Sequence, residues 1–198
     1  MHETKPQVFL LARPSLDLDG MRAYLADVGG ESWLERRLEE TQGETNGGEL
    51  IVEFGGRACY RSWEPGLNPN VTRVRTDQRE YFANILRSAH GSVLEHANYS
   101  FAIRNCSRVF THELVRHRAG SAFSQESLRY VRLTDIVWSA NARTLRHVIE
   151  MRTAEGAEEE LRLVFDKIAR LMLAEAPNLF QDFVRHDDGS WVPENRKV

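Results

Sequence analysis

Lysine is scarce in this 198-residue chain: of 26 basic residues, three are lysine (Lys5, Lys167 and Lys197) and 23 are arginine. Cysteine is scarcer still. Cys59 and Cys106 are too few for a disulfide scaffold or a four-cysteine metal site. No apolar run approaches the roughly 20 residues of a membrane span. The opening MHETKPQVFLLARPS has neither a basic leader nor a long apolar stretch, so a cytoplasmic protein is the expectation. Repeats, low-complexity tracts, the P-loop pattern GxxxxGK[ST] and the dinucleotide pattern GxGxxG are absent as well. What is present is an ordinary globular composition, 41% hydrophobic and 28% charged with net charge −3, which suits one domain over residues 1–198.

The arginines are not spread evenly. Between Arg104 and Arg152 there are nine, with no lysine and four acids (Glu113, Glu126, Asp135, Glu150), a local charge of +5. The remaining chain holds 17 basic and 25 acidic residues, or −8. Codon usage explains a global arginine bias but not this placement. A nucleic-acid binder is usually basic throughout, whereas a basic middle in an acidic chain suits a bound anion. Arginine offers a flat, permanently charged fork that matches phosphate and carboxylate.

Periodicity places the elements. Gln7–Ala12 reads as a strand, and Leu16–Val28 as a helix closed by Gly29-Gly30. Thr41–Gly48 reads as a flexible loop, Ile51–Phe54 as a strand or buried turn, and Pro65–Asn70 as another loop. Thr76–Ala89 reads as a helix whose face is Phe82, Ile85, Leu86 and Ala89, capped by Thr76 or Asp77. Tyr99, Phe101 and Ile103 alternate as a strand should. Ser107 caps a helix expected to run to Arg118, residues 119–127 have no helical period, and residues 141–152 return to helix. A long helix marked by Leu161, Val164, Ile168 and Leu171 ends before Pro177, with a loose tail after His186. The fold class is α+β, helix-rich with a small antiparallel or mixed sheet.

Two motifs carry chemistry. HELVRH (His112–His117) invites a zinc reading, but its second histidine is at i+5, about 140° round a helix from the first. Position i+4 is Arg116, a cation that repels a metal, so no metal site is expected. Arg116-His117-Arg118 crowds three cation-capable side chains together, which is favourable when an anion sits among them. The following AGSAFSQESLRY adds three serines, a glutamine and another arginine, groups suited to a phosphate or a uracil edge.

Arg116-His117-Arg118 with Ser127 and then Arg129-Tyr130 resembles the RHR…S signature of the flavin-dependent thymidylate synthases. His90-Gly91-Ser92-Val93-Leu94-Glu95-His96 resembles that family's upstream H-x-[ST]-x-x-E-H stretch, and Asn141-Ala142-Arg143, His147 and Arg152 its downstream helix. The resemblance implies reductive methylation of uracil C5 in dUMP. Methylenetetrahydrofolate would give the carbon, and FAD reduced by NADPH the hydride. It implies a homotetramer with active sites between subunits, and small-molecule partners without nucleic acid or membrane. His90, Ser92, Arg116, His117, Arg118, Asn141, Arg143 and His147 would hold FAD. Glu113, Gln125, Glu126, Ser127, Arg129 and Arg152 would hold the nucleotide, with Arg152, His90 and Ser127 closest to the chemistry. A guanidinium over a uracil carbonyl stabilises negative charge as C5 becomes nucleophilic. Both cysteines lie outside these blocks and read as structural, which points to direct hydride chemistry rather than thiolate attack at C6.

The sequence departs from the family pattern twice. Eight residues (119–126) separate RHR from the signature serine, where the family usually has seven. Ten residues connect Tyr130 to Asn141, where the family has a longer helical connection bearing a nucleotide-binding arginine. The stretch RHRAGSAFSQESLRYV is similar to a divergent branch that methylates UMP in polyoxin antibiotic biosynthesis, so UMP is an expected substrate beside dUMP. The alternatives are a catalytically impaired flavin- or nucleotide-binding relative and a nucleic-acid-binding module.

Overall fold

A computed structural model describes residues 5–117, 120–127, 129, 154–187 and 191–193. The expected helix over 141–152 lies outside them. Two compact units emerge, one from the described parts of 10–101 and 169–198, the other from those of 1–9 and 102–168. Strand β1 (Gln7–Ala12), its partner β2 (Ser100–Arg104) and the long helix α6 (Ala154–Glu175) run through both.

The first unit is built on helices α1 (Leu18–Val28), α2 (Glu31–Glu40), α3 (Gly47–Tyr60) and α4 (Gln78–Arg87). Asp17 caps α1 by accepting from Gly20 N at 3.0 Å. Gly29 ends α1 at φ +81°, a left-handed conformation suited to glycine. The apolar pattern does not announce α2, whose residues are mostly charged, yet Trp33 and Leu34 on it are fully buried. They join Met21, Leu25, Leu50 and Trp63 in one core, with Trp33 and Trp63 rings 4.9 Å apart. Val52, Tyr81, Phe82, Ile85, Ala176 and Leu179 form a second core. Helix α3 contributes to both.

Ile51–Phe54 is therefore helix, not strand or turn. Asn46 starts α3 by accepting from Glu49 N at 2.9 Å, so the expected 41–48 loop closes before Gly47. Asp77 caps α4 as expected, accepting from Glu80 N at 2.7 Å. Past α6, the buried Glu49 carboxylate accepts from the backbone N–H groups of Asn178 and Leu179 at 2.6 and 3.1 Å. The tail expected to be loose contributes a strand: β3 (Phe183–Arg185) pairs antiparallel with β4 (Trp191–Pro193), Val184 opposite Val192.

The second unit carries α5 (Arg108–Leu114), the irregular stretch 120–127 and the first part of α6. Ser107 caps α5 as expected, its Oγ accepting from Phe110 N at 3.0 Å. The helix stops at Leu114 rather than reaching Arg118. No helix among the described residues is long and apolar enough to cross a membrane.

Candidate functional site

The start of α5 is anchored from α6. Glu160, buried at 3% exposure, accepts from Ser107 N at 2.8 Å and from Ser107 Oγ at 2.7 Å. A buried carboxylate with two donors has its desolvation cost offset, and it leaves α5 little freedom to turn. Burial first, and then the Glu160 charge, raise the Cys106 thiol above its ordinary range, so it stays protonated near neutrality.

The segment after RHR folds back onto this helix. Arg108 Nη2 donates to the carbonyl of Glu126 at 2.6 Å, and Gln125 Nε2 donates to Thr111 Oγ1 at 2.9 Å. Ser127 is half-buried, and its Oγ accepts from Arg129 N at 3.3 Å. Glu113 is half-buried on α5 and pairs with Arg116 Nη1 at 3.2 Å. Arg116 and His117 are exposed just beyond the helix, in a tighter turn where their backbone N–H groups donate to the carbonyls of Glu113 and Leu114 at 3.1 Å. Glu113, Arg116, Gln125, Glu126, Ser127 and Arg129 thus belong to one short structure whose pieces are hydrogen-bonded to α5 or to each other. Arg118, Asn141, Arg143, His147 and Arg152 lie outside the described residues.

In the other unit, His90 and Ser92 sit at a 3-10 turn, Gly91–His96, packed against α3. His90 is half-buried and its imidazole is nearly parallel to the Tyr60 ring, 12° between planes at 6.4 Å. Ser92 is exposed. The His96 ring lies against Gly55, where a Cβ would come within 2.6 Å of it.

Sequence reasoning missed Arg108, Thr111 and Glu160. Thr111 follows the Ser107 cap by one helical turn, a spacing that puts both hydroxyls on one face. Glu160 is 53 positions away from its partner and leaves no local signal.

Comparison with known proteins decides the family. The profile described as Thymidylate synthase complementing protein matches residues 42–136 and 132–178. The chain belongs to the flavin-dependent thymidylate synthase family. It is an enzyme of the methyltransferase class, as the ordered motif blocks led us to expect. The flavin-dependent thymidylate synthase of Mycolicibacterium gilvum is 31% identical over 209 residues, covering 71% of this chain and 81% of that protein. That of Mycolicibacterium vanbaalenii is 32% identical over the same extent. A third, from Mycobacterium sp. strain JLS, is 50% identical over 88 residues, 44% of this chain and 32% of that one.

The profile matches in two pieces that meet at residues 132–136, within the connection the sequence shows to be short. Alignments of 209 positions that take in 71% of a 198-residue chain carry further residues on the relatives' side.

Proposed function

We propose that the enzyme methylates uracil C5 of a uridylate nucleotide, UMP as well as dUMP, with FAD as cofactor, methylenetetrahydrofolate as carbon donor and NADPH as reductant. We further propose cytoplasmic action on small molecules, as a homotetramer with active sites between subunits. The observation that carries this reading is the 125–129 segment hydrogen-bonded onto α5 beside Arg116 and His117, in a chain of this family.

The residues fit the cofactor chemically. A dinucleotide with a planar ring system calls for cations at its pyrophosphate and a flat neighbour at its rings. Arg116 and His117 are exposed cation-capable groups, and the near-parallel His90–Tyr60 pair presents a flat aromatic face. Arg116, His117 and Arg118 would hold the pyrophosphate, with His90, Ser92, Asn141, Arg143 and His147 completing the site. When bound, the reduced flavin supplies a hydride.

The chain's own residues bind and orient the nucleotide. Arg129 and Ser127 hold its phosphate, and Glu113, Gln125 and Glu126 border it. Arg152 stabilises negative charge on a uracil carbonyl while C5 bonds to the folate methylene carbon. The C5 proton leaves, tetrahydrofolate departs and the methylene is reduced to methyl.

The test is direct. The purified protein, reconstituted with FAD, should be yellow with a flavin spectrum. Its reduced flavin should be oxidised anaerobically when nucleotide and methylenetetrahydrofolate are both added, with methylated UMP and dTMP as products. No flavin binding would end the reading. Flavin binding without folate-dependent oxidation would favour the impaired binder that the shortened connection suggests. Turnover of dUMP with none of UMP would remove the ribonucleotide from the proposal.

A further inference from the structure

Gln125 is held by a side chain that no motif marks. Thr111 Oγ1 donates its one proton to the carbonyl of Arg108 at 3.0 Å. Having given that proton away, the hydroxyl can meet Gln125 as an acceptor alone, and it does so from Nε2 at 2.9 Å. The opposite amide orientation would set two acceptor oxygens against each other, or cost the bond to Arg108. The backbone next door is tied as well, Glu126 O accepting from Arg108 Nη2 at 2.6 Å. Both ties end on the first turn of α5, which Glu160 anchors through Ser107. The Gln125 side chain is exposed, and no described residue donates to its Oε1.

We propose that Thr111 is a positioning residue that fixes the polarity of the Gln125 amide, so that Gln125 Oε1 accepts from a donor on the nucleoside part of the substrate. The inference rests on the uridylate reading above and adds which atom of Gln125 is used, and by what chemistry. A phosphate dianion carries acceptors and no donor, so it does not satisfy Oε1. The donors a uridylate offers are a sugar hydroxyl and the uracil N3–H. Cytosine has an unprotonated N3 and lacks the second of these.

The experiment titrates FAD-loaded wild type, Thr111→Val and Thr111→Ser with dUMP and with dCMP, following the flavin absorbance change and heat of binding. Valine keeps the shape of threonine and removes the hydroxyl. It should weaken dUMP about fivefold, the scale of one neutral hydrogen bond, at unchanged FAD content and thermal midpoint. Thr111→Ser should restore wild-type affinity. A lowered dUMP-over-dCMP preference in Thr111→Val identifies the base N3–H as the donor, whereas equal weakening of both nucleotides, with inorganic phosphate bound as in wild type, identifies a sugar hydroxyl. Either supports the proposal. Wild-type affinities for both nucleotides in Thr111→Val overturn it, as does weakening that accompanies loss of FAD or of thermal stability. Wild-type enzyme that binds FAD but no uridylate overturns the functional reading itself, and this inference with it.

Discussion

Replacing Glu53 with alanine should lower the unfolding free energy by about 3–5 kcal/mol at neutral pH, the usual consequence of removing one partner from a buried ion pair. Glu53 is 0% exposed and accepts from Trp33 Nε1 at 2.9 Å, Arg37 Nη2 at 2.9 Å, Arg57 Nε at 2.8 Å and Gln78 Nε2 at 3.0 Å. Without it, the two buried guanidiniums keep their bonds to the carbonyls of Ser62, Arg75 and Thr76, but Arg57 loses its counter-charge and Arg37 is left with Glu40 at the edge of the cluster. Burial by itself would raise the Glu53 carboxyl. The Arg37 hydrogen bonds and the charges of Arg57 and Arg37 outweigh burial and hold it below the ordinary carboxylate range. A depressed folded-state pKa stabilises fully above the unfolded value, about 4.3 for glutamate, and that contribution is lost as pH falls through the folded value. Urea denaturation from pH 7 down to pH 3 should therefore show a steeper acid loss in wild type than in Glu53→Gln. Parallel pH profiles, or a Glu53→Ala variant within 1 kcal/mol of wild type at pH 7, would show that the carboxylate is not the keystone of these contacts.

Arg129→Ala should weaken nucleotide binding by about 10- to 100-fold, the range for losing a hydrogen bond to a charged group, while the protein keeps its flavin. Arg129 follows Ser127 in the segment tied to α5, and its backbone N–H is already committed to Ser127 Oγ. The loss should therefore come from the guanidinium and not from collapse of the turn. Arg118→Ala should do the reverse, with lowered FAD retention. Equilibrium titration of each variant with dUMP, beside its flavin content after gel filtration, separates the two. If both variants keep wild-type flavin content and turnover, the arginine cluster reflects codon usage alone.

The family was legible because its chemistry is written in short, ordered blocks, 90–96 and 116–127 among them, and the profile match over 42–136 and 132–178 agrees with them. Elements with a clean period were legible too: α4 carries Phe82, Ile85 and Leu86 on one face, and all three are buried. Helix α3 was not legible, because Gly47-Gly48 and Gly55-Gly56 look like breakers around a short apolar run. Gly48, Gly55 and Gly56 are buried where Tyr99, His96 and Tyr81 come close, so packing rather than propensity keeps them helical. Helix α2 hid behind its charges, one of which, Arg37, turns inward to Glu53. The site's frame was hidden for a different reason. Thr111 and Glu160 act through partners 14 and 53 positions away, and no local pattern encodes such distances.

The Glu53 cluster also bears on time as well as on equilibrium. Trp33 and Arg37 on α2, Glu53 and Arg57 on α3, the Ser62 turn and residues 75–78 must all arrive before either guanidinium can give up its water. Contacts that need so many partners at once are expected to form late, after the folding barrier, and a Glu53→Gln variant that unfolds faster but folds at the wild-type rate would show it. Their energy is then absent from the transition state and must be surrendered on the way out, so the cluster acts as a brake on the unfolding rate and leaves the speed of folding nearly untouched.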